Sequence, residues 1–408
     1  MTKKMLRIIC SVVACGVTLF LMTAGVVTAK PAKTLKLGVI APISGSASAW
    51  GFALQRAVTL YADEYNEAGG IVLGGEKYQI ELIVEDDKCL AADAMAAARK
   101  LIYGDGVRMI VGPVCSAAGA AIASECKAQD VITFIGYSST NFLGSDYPRN
   151  FLAAAYGVES ASIGGLACIN KAFPNAKRLA LFEPDDESGW ESAKTDRMVW
   201  EYYGKEIVEK YYERETTDFF PMLTATLAKK PDIISLGISP PGAGGLIVKQ
   251  ARQLGYTGPI FNGWIQVNQI AEIAGAEAAE GTISIGTLAE DPTNPPVLKQ
   301  FVDKTRARWG ELTSAWDDYG CVAYIFFNVL KAADSADVNT IYERMTAPGF
   351  KFDSWYDKGL EWGGREYYGT NCEAPVPLNM QGMKDGKVVS VARVPFEDRY
   401  PLYRLFKK

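Results

Sequence analysis

The sequence predicts an α/β protein with two lobes, each carrying a doubly wound parallel sheet. From residue 34 onward, short apolar strand-like runs alternate with amphipathic helical stretches, and the alternation restarts as a second series after Glu159. That rhythm is the pattern of parallel strands covered by helices on both faces. The length agrees: 408 residues, 49% hydrophobic and 22% charged, make a globular chain large enough for two domains.

In the first series, residues 35–40 form an apolar strand that runs into a Gly- and Ser-rich loop over 41–51. Leu54, Ala57, Val58, Tyr61, Ala62 and Tyr65 then recur at helical spacing on one stripe, and Gly69-Gly70 stops that helix. Alternation over 78–84 predicts a strand, 91–102 a helix, 108–111 a strand, 116–129 a helix and 131–135 a strand. The second series predicts helices over 162–171, 190–203, 219–228, 245–254 and 269–274. These are interleaved with strands over 178–183, 207–212, 233–238, 259–264 and 282–286. Helical stretches over 297–309 and 319–333 follow. From Phe350 the chain is rich in Gly, Pro and aromatics and reads as strands and loops, with a turn at Lys384-Asp385-Gly386. No low-complexity linker divides the series, so several short crossings between lobes are expected rather than one tether.

The N-terminus predicts export. Lys3, Lys4 and Arg7 precede an apolar run over 8–27, and Val27-Thr28-Ala29 supplies small residues for cleavage after Ala29, making 1–29 a signal peptide. The run is long enough to span a membrane, but a cleavage pattern follows it and no basic stop-transfer flank does. Lipidation at Cys15 is a weaker reading, because the apolar run continues through Leu19, Phe20 and Leu21. Outside the leader lie Cys89, Cys115, Cys126, Cys168, Cys321 and Cys372; no C-x-x-C occurs. In an oxidising compartment disulfides are the default expectation, and sequence alone does not choose the pairing.

Composition removes several function classes. The formal charge is −5, and the leader holds three cations and no acid, so the mature chain is more acidic still. Nucleic-acid binding needs a clustered basic surface, so no such partner is expected. With no histidine in the chain, Ser-His-Asp triads, Cys-His pairs and His-ligated zinc are excluded. Gly242-Ala243-Gly244-Gly245-Leu246-Ile247 imitates a dinucleotide loop, but Ile247 replaces the third glycine and two prolines precede it. The clusters Asp86-Asp87, Asp185-Asp186-Glu187 and Asp317-Asp318 read as caps or turns rather than as catalytic carboxylates. No cofactor and no enzymatic activity are expected.

Gly112-Pro113-Val114-Cys115-Ser116 lies between a buried strand and a helix, where a parallel sheet presents a ligand site. Ser116 is expected to N-cap that helix, with its hydroxyl and the first amides facing an anion. Tyr137-Ser138-Ser139-Thr140 offers more hydroxyls at the edge of the next strand.

Four segments carry a resemblance. In chain order they are Leu37-Gly38-Val39-Ile40-Ala41-Pro42-Ile43-Ser44-Gly45, Asn66-Glu67-Ala68-Gly69-Gly70-Ile71, Glu85-Asp86-Asp87-Lys88-Cys89 and Val111-Gly112-Pro113-Val114-Cys115-Ser116. Together with Ile273-Ala274-Gly275 and Ala278-Ala279-Glu280-Gly281, they resemble the leucine/isoleucine/valine-binding periplasmic proteins that serve ABC importers. The resemblance implies a type I periplasmic-binding fold with three crossovers and a hinged cleft. Lobe 1 would comprise 34–157 plus 287–370, and lobe 2 158–286 plus 371–408. It also implies a Cys89–Cys115 disulfide, a ligand carboxylate held at Ser116 and Ser139, and Trp50 covering the ligand's side chain.

The second lobe departs from the family pattern. No acid occurs in 259–266 to neutralise a ligand ammonium, and the expected tyrosines fall near Ser239-Pro240-Pro241 and at Ser188. Either Asp185 or Asp186 supplies that charge, or the ligand is a carboxylate without an ammonium, since an unpaired buried ammonium is costly. Trp50, Tyr137 and Trp264 suit an aromatic or branched apolar body, and Ser138, Ser188 and Tyr319 complete the candidate set. The expectation is a monomeric solute receptor for an inner-membrane ABC permease. A sensor that signals to a membrane partner is the alternative.

Overall fold

Alternating burial opens the first sheet: in β1 (Lys33–Ala41) Leu35 and Leu37 are buried while Thr34 and Lys36 are exposed. The computed structural model describes residues 33–45, 47–136, 139–153, 158–264, 266–399, 402 and 405–406. The expected leader over 1–29, with Cys15 and the cleavage point at Ala29, lies outside the described residues, as do Tyr137 and Ser138.

After β1 come α1 (Ser48–Glu67), β2 (Ile71–Leu73), β3 (Glu76–Asp86), α2 (Ala91–Arg99), β4 (Met109–Val111), α3 (Ser116–Ala128), β5 (Ile132–Ile135) and β6 (Asn150–Leu152). The strands lie in the order β2-β3-β1-β4-β5-β6. Pairing is parallel for β1–β4, β4–β5 and β5–β6, and antiparallel for β2–β3. The second half contributes α4 (Val158–Ala172), β7 (Arg178–Pro184), α5 (Glu187–Tyr202), β8 (Glu206–Tyr212), α6 (Phe220–Leu227) and β9 (Ile233–Ser235). It continues with α7 (Pro241–Gln253), β10 (Ile260–Asn262), α8 (Val267–Ala274), α9 (Ala276–Ala279) and β11 (Thr282–Ile285). Next are α10 (Pro296–Trp309), α11 (Trp316–Ala333), α12 (Val338–Met345) and α13 (Arg365–Tyr368). The chain ends in β12 (Leu378–Lys384), β13 (Lys387–Val394) and α14 (Phe396–Arg399). The second sheet runs β13-β12-β11-β10-β9-β7-β8.

Both sheets are dominated by parallel pairs, as expected, and each carries antiparallel strands at one edge. β2 joins β3 as a hairpin, and β12 and β13 add an antiparallel edge to the second sheet. The β12–β13 turn has Asp385 and Gly386 at φ 52° and 69°, the left-handed pair that matches the twist of a two-residue hairpin. Short β2 and β6 went unread because three-residue strands carry no usable period.

The chain passes between the sheets three times: after β6, after β11, and between Ala374 and β12. Ala374 N–H still donates to Leu152 O (2.8 Å) on the first sheet's edge. The middle return brings α10 and α11 onto the first sheet's helices. Phe326 meets Phe134 edge-on at 5.0 Å and Phe301 stacks on Tyr61 at 5.8 Å, while the Trp355 indole N–H donates to the Tyr61 hydroxyl (3.0 Å). In β7 the pleat divides the core: Leu179 joins the larger cluster, and Ala180 and Phe182 join a separate one on the opposite face.

Candidate functional site

Between the two sheets lies a cavity of about 30 Å³ lined by Trp50, Cys89, Val114, Cys115, Ser116, Gly136, Ser188, Arg214, Ile238, Trp264 and Tyr319. Ten of these residues come from segments that follow the carboxyl ends of strands: β1, β3, β4 and β5 on one wall, and β7, β8, β9 and β10 on the other. That is where parallel strands place a ligand site. Tyr319 enters from the first turn of α11, and its ring occupies the space where a Cβ on Gly136 would sit, 2.8 Å from Cε1.

On the first wall, the Cys89–Cys115 disulfide forms with a Cα separation of 5.4 Å and ties the loop after β3 to the start of α3. Cys126, Cys168, Cys321 and Cys372 are free thiols, which corrects the default expectation of disulfides for them. Burial pushes the Cys126 and Cys372 thiols up to about 12. Cys115, in extended conformation, holds the N-cap position of α3, and Ser116 is the first helical residue. This corrects the expectation that Ser116 is the cap. Its Oγ accepts the Ser139 N–H at 3.1 Å. Ser139 is buried beside Ser116 and its Oγ accepts from Asn141 N–H, but it does not reach the cavity. The Trp50 indole N–H is buried at the cavity with no hydrogen-bond partner.

On the second wall, Asp186 caps α5, accepting from Ser188 N–H (3.1 Å) and Gly189 N–H (3.2 Å). The same carboxylate takes Nε of Arg214, whose Nη2 donates to Ser188 Oγ at 3.4 Å. Burial by itself would raise the Asp186 carboxyl, but the Arg214 hydrogen bond and charge outweigh it and hold the group below its ordinary value. Asp185 is exposed and accepts from the Trp190 indole N–H (2.8 Å), so it faces away from the cavity. Glu183 lies fully buried beneath the wall and accepts Ile238 N–H (3.0 Å); burial keeps its carboxyl well above the ordinary range. Asp87, buried off the cavity, accepts Cys89 N–H (2.9 Å), and burial raises it to about 6.

Thus Trp50, Ser116, Ser188, Trp264 and Tyr319 converge, and Asp185 does not. Arg214 was missed: between Glu213 and Glu215 it looks like part of a solvated turn, and only its place after β8 singles it out. At the crossover after β11, Asp317 accepts Gln266 Nε2 (3.1 Å) and Thr287 N–H (2.7 Å), joining α11 to the second sheet. A larger open groove of about 650 Å³, bordered by Thr140, Trp190, Lys194 and Tyr367, lies apart from this cavity. Among the described residues, no group of three or more acids, cysteines or histidines could hold a metal ion.

Residues 34–366 match the family described as periplasmic binding protein. A Leu/Ile/Val-binding protein of Rhizobium johnstonii is 29% identical over 289 residues, covering 67% of this chain and 72% of that protein. The substrate-binding protein of a Streptococcus pneumoniae branched-chain amino acid transporter, solved with isoleucine, superposes with a TM-score of 0.75. It is 25% identical, covering 89% of this chain and 100% of that one. A Rhodopseudomonas palustris solute-binding protein of an ABC transporter, solved with benzoate, shares the fold at a TM-score of 0.70. It is 18% identical and covers 89% of this chain and 97% of that one.

Proposed function

Because the chain belongs to the periplasmic binding protein family, we propose that it is the solute-capturing component of an ABC-type importer. Its ligand would be a small hydrophobic or branched-chain amino acid, or a related aromatic or aliphatic carboxylate. The observation that carries this reading is the cavity lined from both sheets, with Ser116 on one wall, Ser188 on the other, and Trp50, Trp264 and Tyr319 around it. A ligand seated there bridges the lobes and stabilises the closed arrangement by its differential contacts. The present volume of about 30 Å³ is far below the ~300 Å³ at which small-molecule pockets begin. The walls must therefore separate to admit a ligand.

The family is one of solute binders, and we carry that to this chain as capture without turnover. The relatives that bind Leu/Ile/Val and benzoate support both the amino-acid and the aromatic-acid ends of the ligand range. The remainder of the reading is a mature monomer released after Ala29 into the periplasm, handing its ligand to an inner-membrane permease. Lobe 1 is 34–157 with 287–370, extended to Ala374 by the Leu152 pairing, and lobe 2 is 158–286 with 375–408. A sensor role is not favoured.

Thermal denaturation of the mature chain across amino acids, aromatic acids and aliphatic acids tests the reading. A ligand at 100 times its Kd contributes about 2.7 kcal/mol of stability and must raise the melting temperature. No rise with any member of the panel refutes it. Ser116→Ala is expected to weaken carboxylate binding by ~1–3 kcal/mol by calorimetry; unchanged affinity removes Ser116 from the site.

A further inference from the structure

We propose that the cleft selects a carboxylate lacking an ammonium group, and that Arg214 is the second-wall residue that sets this choice. The proposal rests on the capture reading above and names the chemical class that the same site takes.

The chemistry of the walls carries it. Among the eleven described residues that line the cavity, none is acidic, and one, Arg214, is cationic. Arg214 spends Nε on Asp186 and Nη2 on Ser188, which leaves the donors of Nη1 for a ligand. The Trp50 indole N–H is likewise buried at the cavity without an acceptor. An indole and a guanidinium only donate, and so does an ammonium. A ligand that brings oxygen acceptors satisfies these groups; one that brings an ammonium does not. The N-termini of α3 and α5, with Cys115 and Asp186 at their caps, meet the cavity from opposite walls and add positive ends of helix dipoles.

The nearby carboxylates lie off the cavity lining. Asp186 already takes the Ser188 and Gly189 amides together with Arg214, and Asp185 turns outward to Trp190. Glu183 accepts the Ile238 amide and Asp87 the Cys89 amide, each with its second carboxylate oxygen buried and unbonded, and neither lines the cavity. An α-ammonium in the closed cleft would be desolvated beside a guanidinium, and the carboxylate on that wall, Asp186, is already paired with Arg214 and with two helix amides. Val114, Ile238, Trp264 and Tyr319 supply an apolar lining for an aromatic or branched body.

The test is isothermal titration of the mature full chain with pairs that share a body and differ in the ammonium: 4-methyl-2-oxopentanoate against leucine, and phenylpyruvate against phenylalanine, with benzoate as a fifth probe. At least one ammonium-free acid is expected to bind at least about tenfold more tightly than its amino acid. Arg214→Met should lose at least about tenfold in affinity for that acid, and Arg214→Lys, which keeps the charge but not the fork, should fall between. Equal or tighter binding of the amino acids overturns the proposal and leaves the capture reading standing. If Asp87→Asn abolishes that amino-acid binding, the ammonium site moves to Asp87, and the proposal is overturned in the same way. Acid affinity unchanged in both Arg214 variants also overturns it. Failure of all five probes to bind overturns the capture reading and this proposal together.

Discussion

Reducing the Cys89–Cys115 bridge tests both the fold and the first wall of the cleft. The bridge spans 26 residues of chain, and in the chain-entropy treatment closing a loop of that length lowers the entropy of the unfolded ensemble by about 12 cal/mol/K, or ~3.5 kcal/mol at 25 °C. Any strain in the folded bridge subtracts from that figure, so it is an upper bound. With a urea slope of about 3 kcal/mol/M, the loss amounts to a fall of about 1 M in the unfolding midpoint. The other four cysteines of the described chain are free, so a reductant acts on this bridge alone. Thiol titration of the mature chain in denaturant should find four reactive groups before reduction and six after, and the urea midpoint should fall on reduction. Six reactive thiols without reductant, or a midpoint indifferent to reduction, would refute the reasoning.

Two further perturbations follow from the packing around the cleft. Asp87 is raised from 3.8 to about 6, chiefly by burial, so its folded value lies above its unfolded one. The native state therefore holds this proton more firmly, and stability falls as pH rises between about 4 and 6, by at most about 3 kcal/mol. Asp87→Asn should raise the melting temperature relative to the parent more at pH 7.5 than at pH 4. A pH-independent difference would show that the carboxyl is not held against burial. Gly136→Ala places a Cβ 2.8 Å from the Tyr319 ring and should cost ~1–3 kcal/mol in urea unfolding. Combining it with Tyr319→Leu should recover part of that loss, and strict additivity in the double-mutant cycle would exclude the contact.

The long, strongly patterned elements were legible in the chain itself. The stripe through Leu54, Val58 and Tyr61 became the buried face of α1, and the expected strand over 178–183 became β7 nearly to the residue. The expected helix over 91–102 was interrupted: α2 ends at Arg99, and Lys100–Gly104 winds as a π-turn, a change of pitch that apolar spacing does not report. Antiparallel β2 escaped because Ile71–Leu73 is too short to show a period, and its partner is chosen by the Gly74-Gly75 turn.

The candidate site divides along the same line. Ser116 could be placed at a strand end from local sequence, because a strand-to-helix loop rich in small and hydroxyl residues has one natural position in a parallel sheet, whereas Trp50 came through the family resemblance. Whether Asp185 or Asp186 would face the ligand depends on which side chain the helix cap consumes and which an indole captures, and neighbouring residues in the chain do not encode that. Arg214 is 98 residues from Ser116 along the chain, and only the tertiary fold, which brings the carboxyl ends of strands from both sheets together, sets them on one cavity. Sequence alone determined the two-series α/β plan, the absence of histidine chemistry and the hydroxyl-bearing first wall. The tertiary structure decided the sign of charge on the second wall, because electrostatics in a closed cleft depends on which groups are brought within a few ångströms after folding and which of them are already paired.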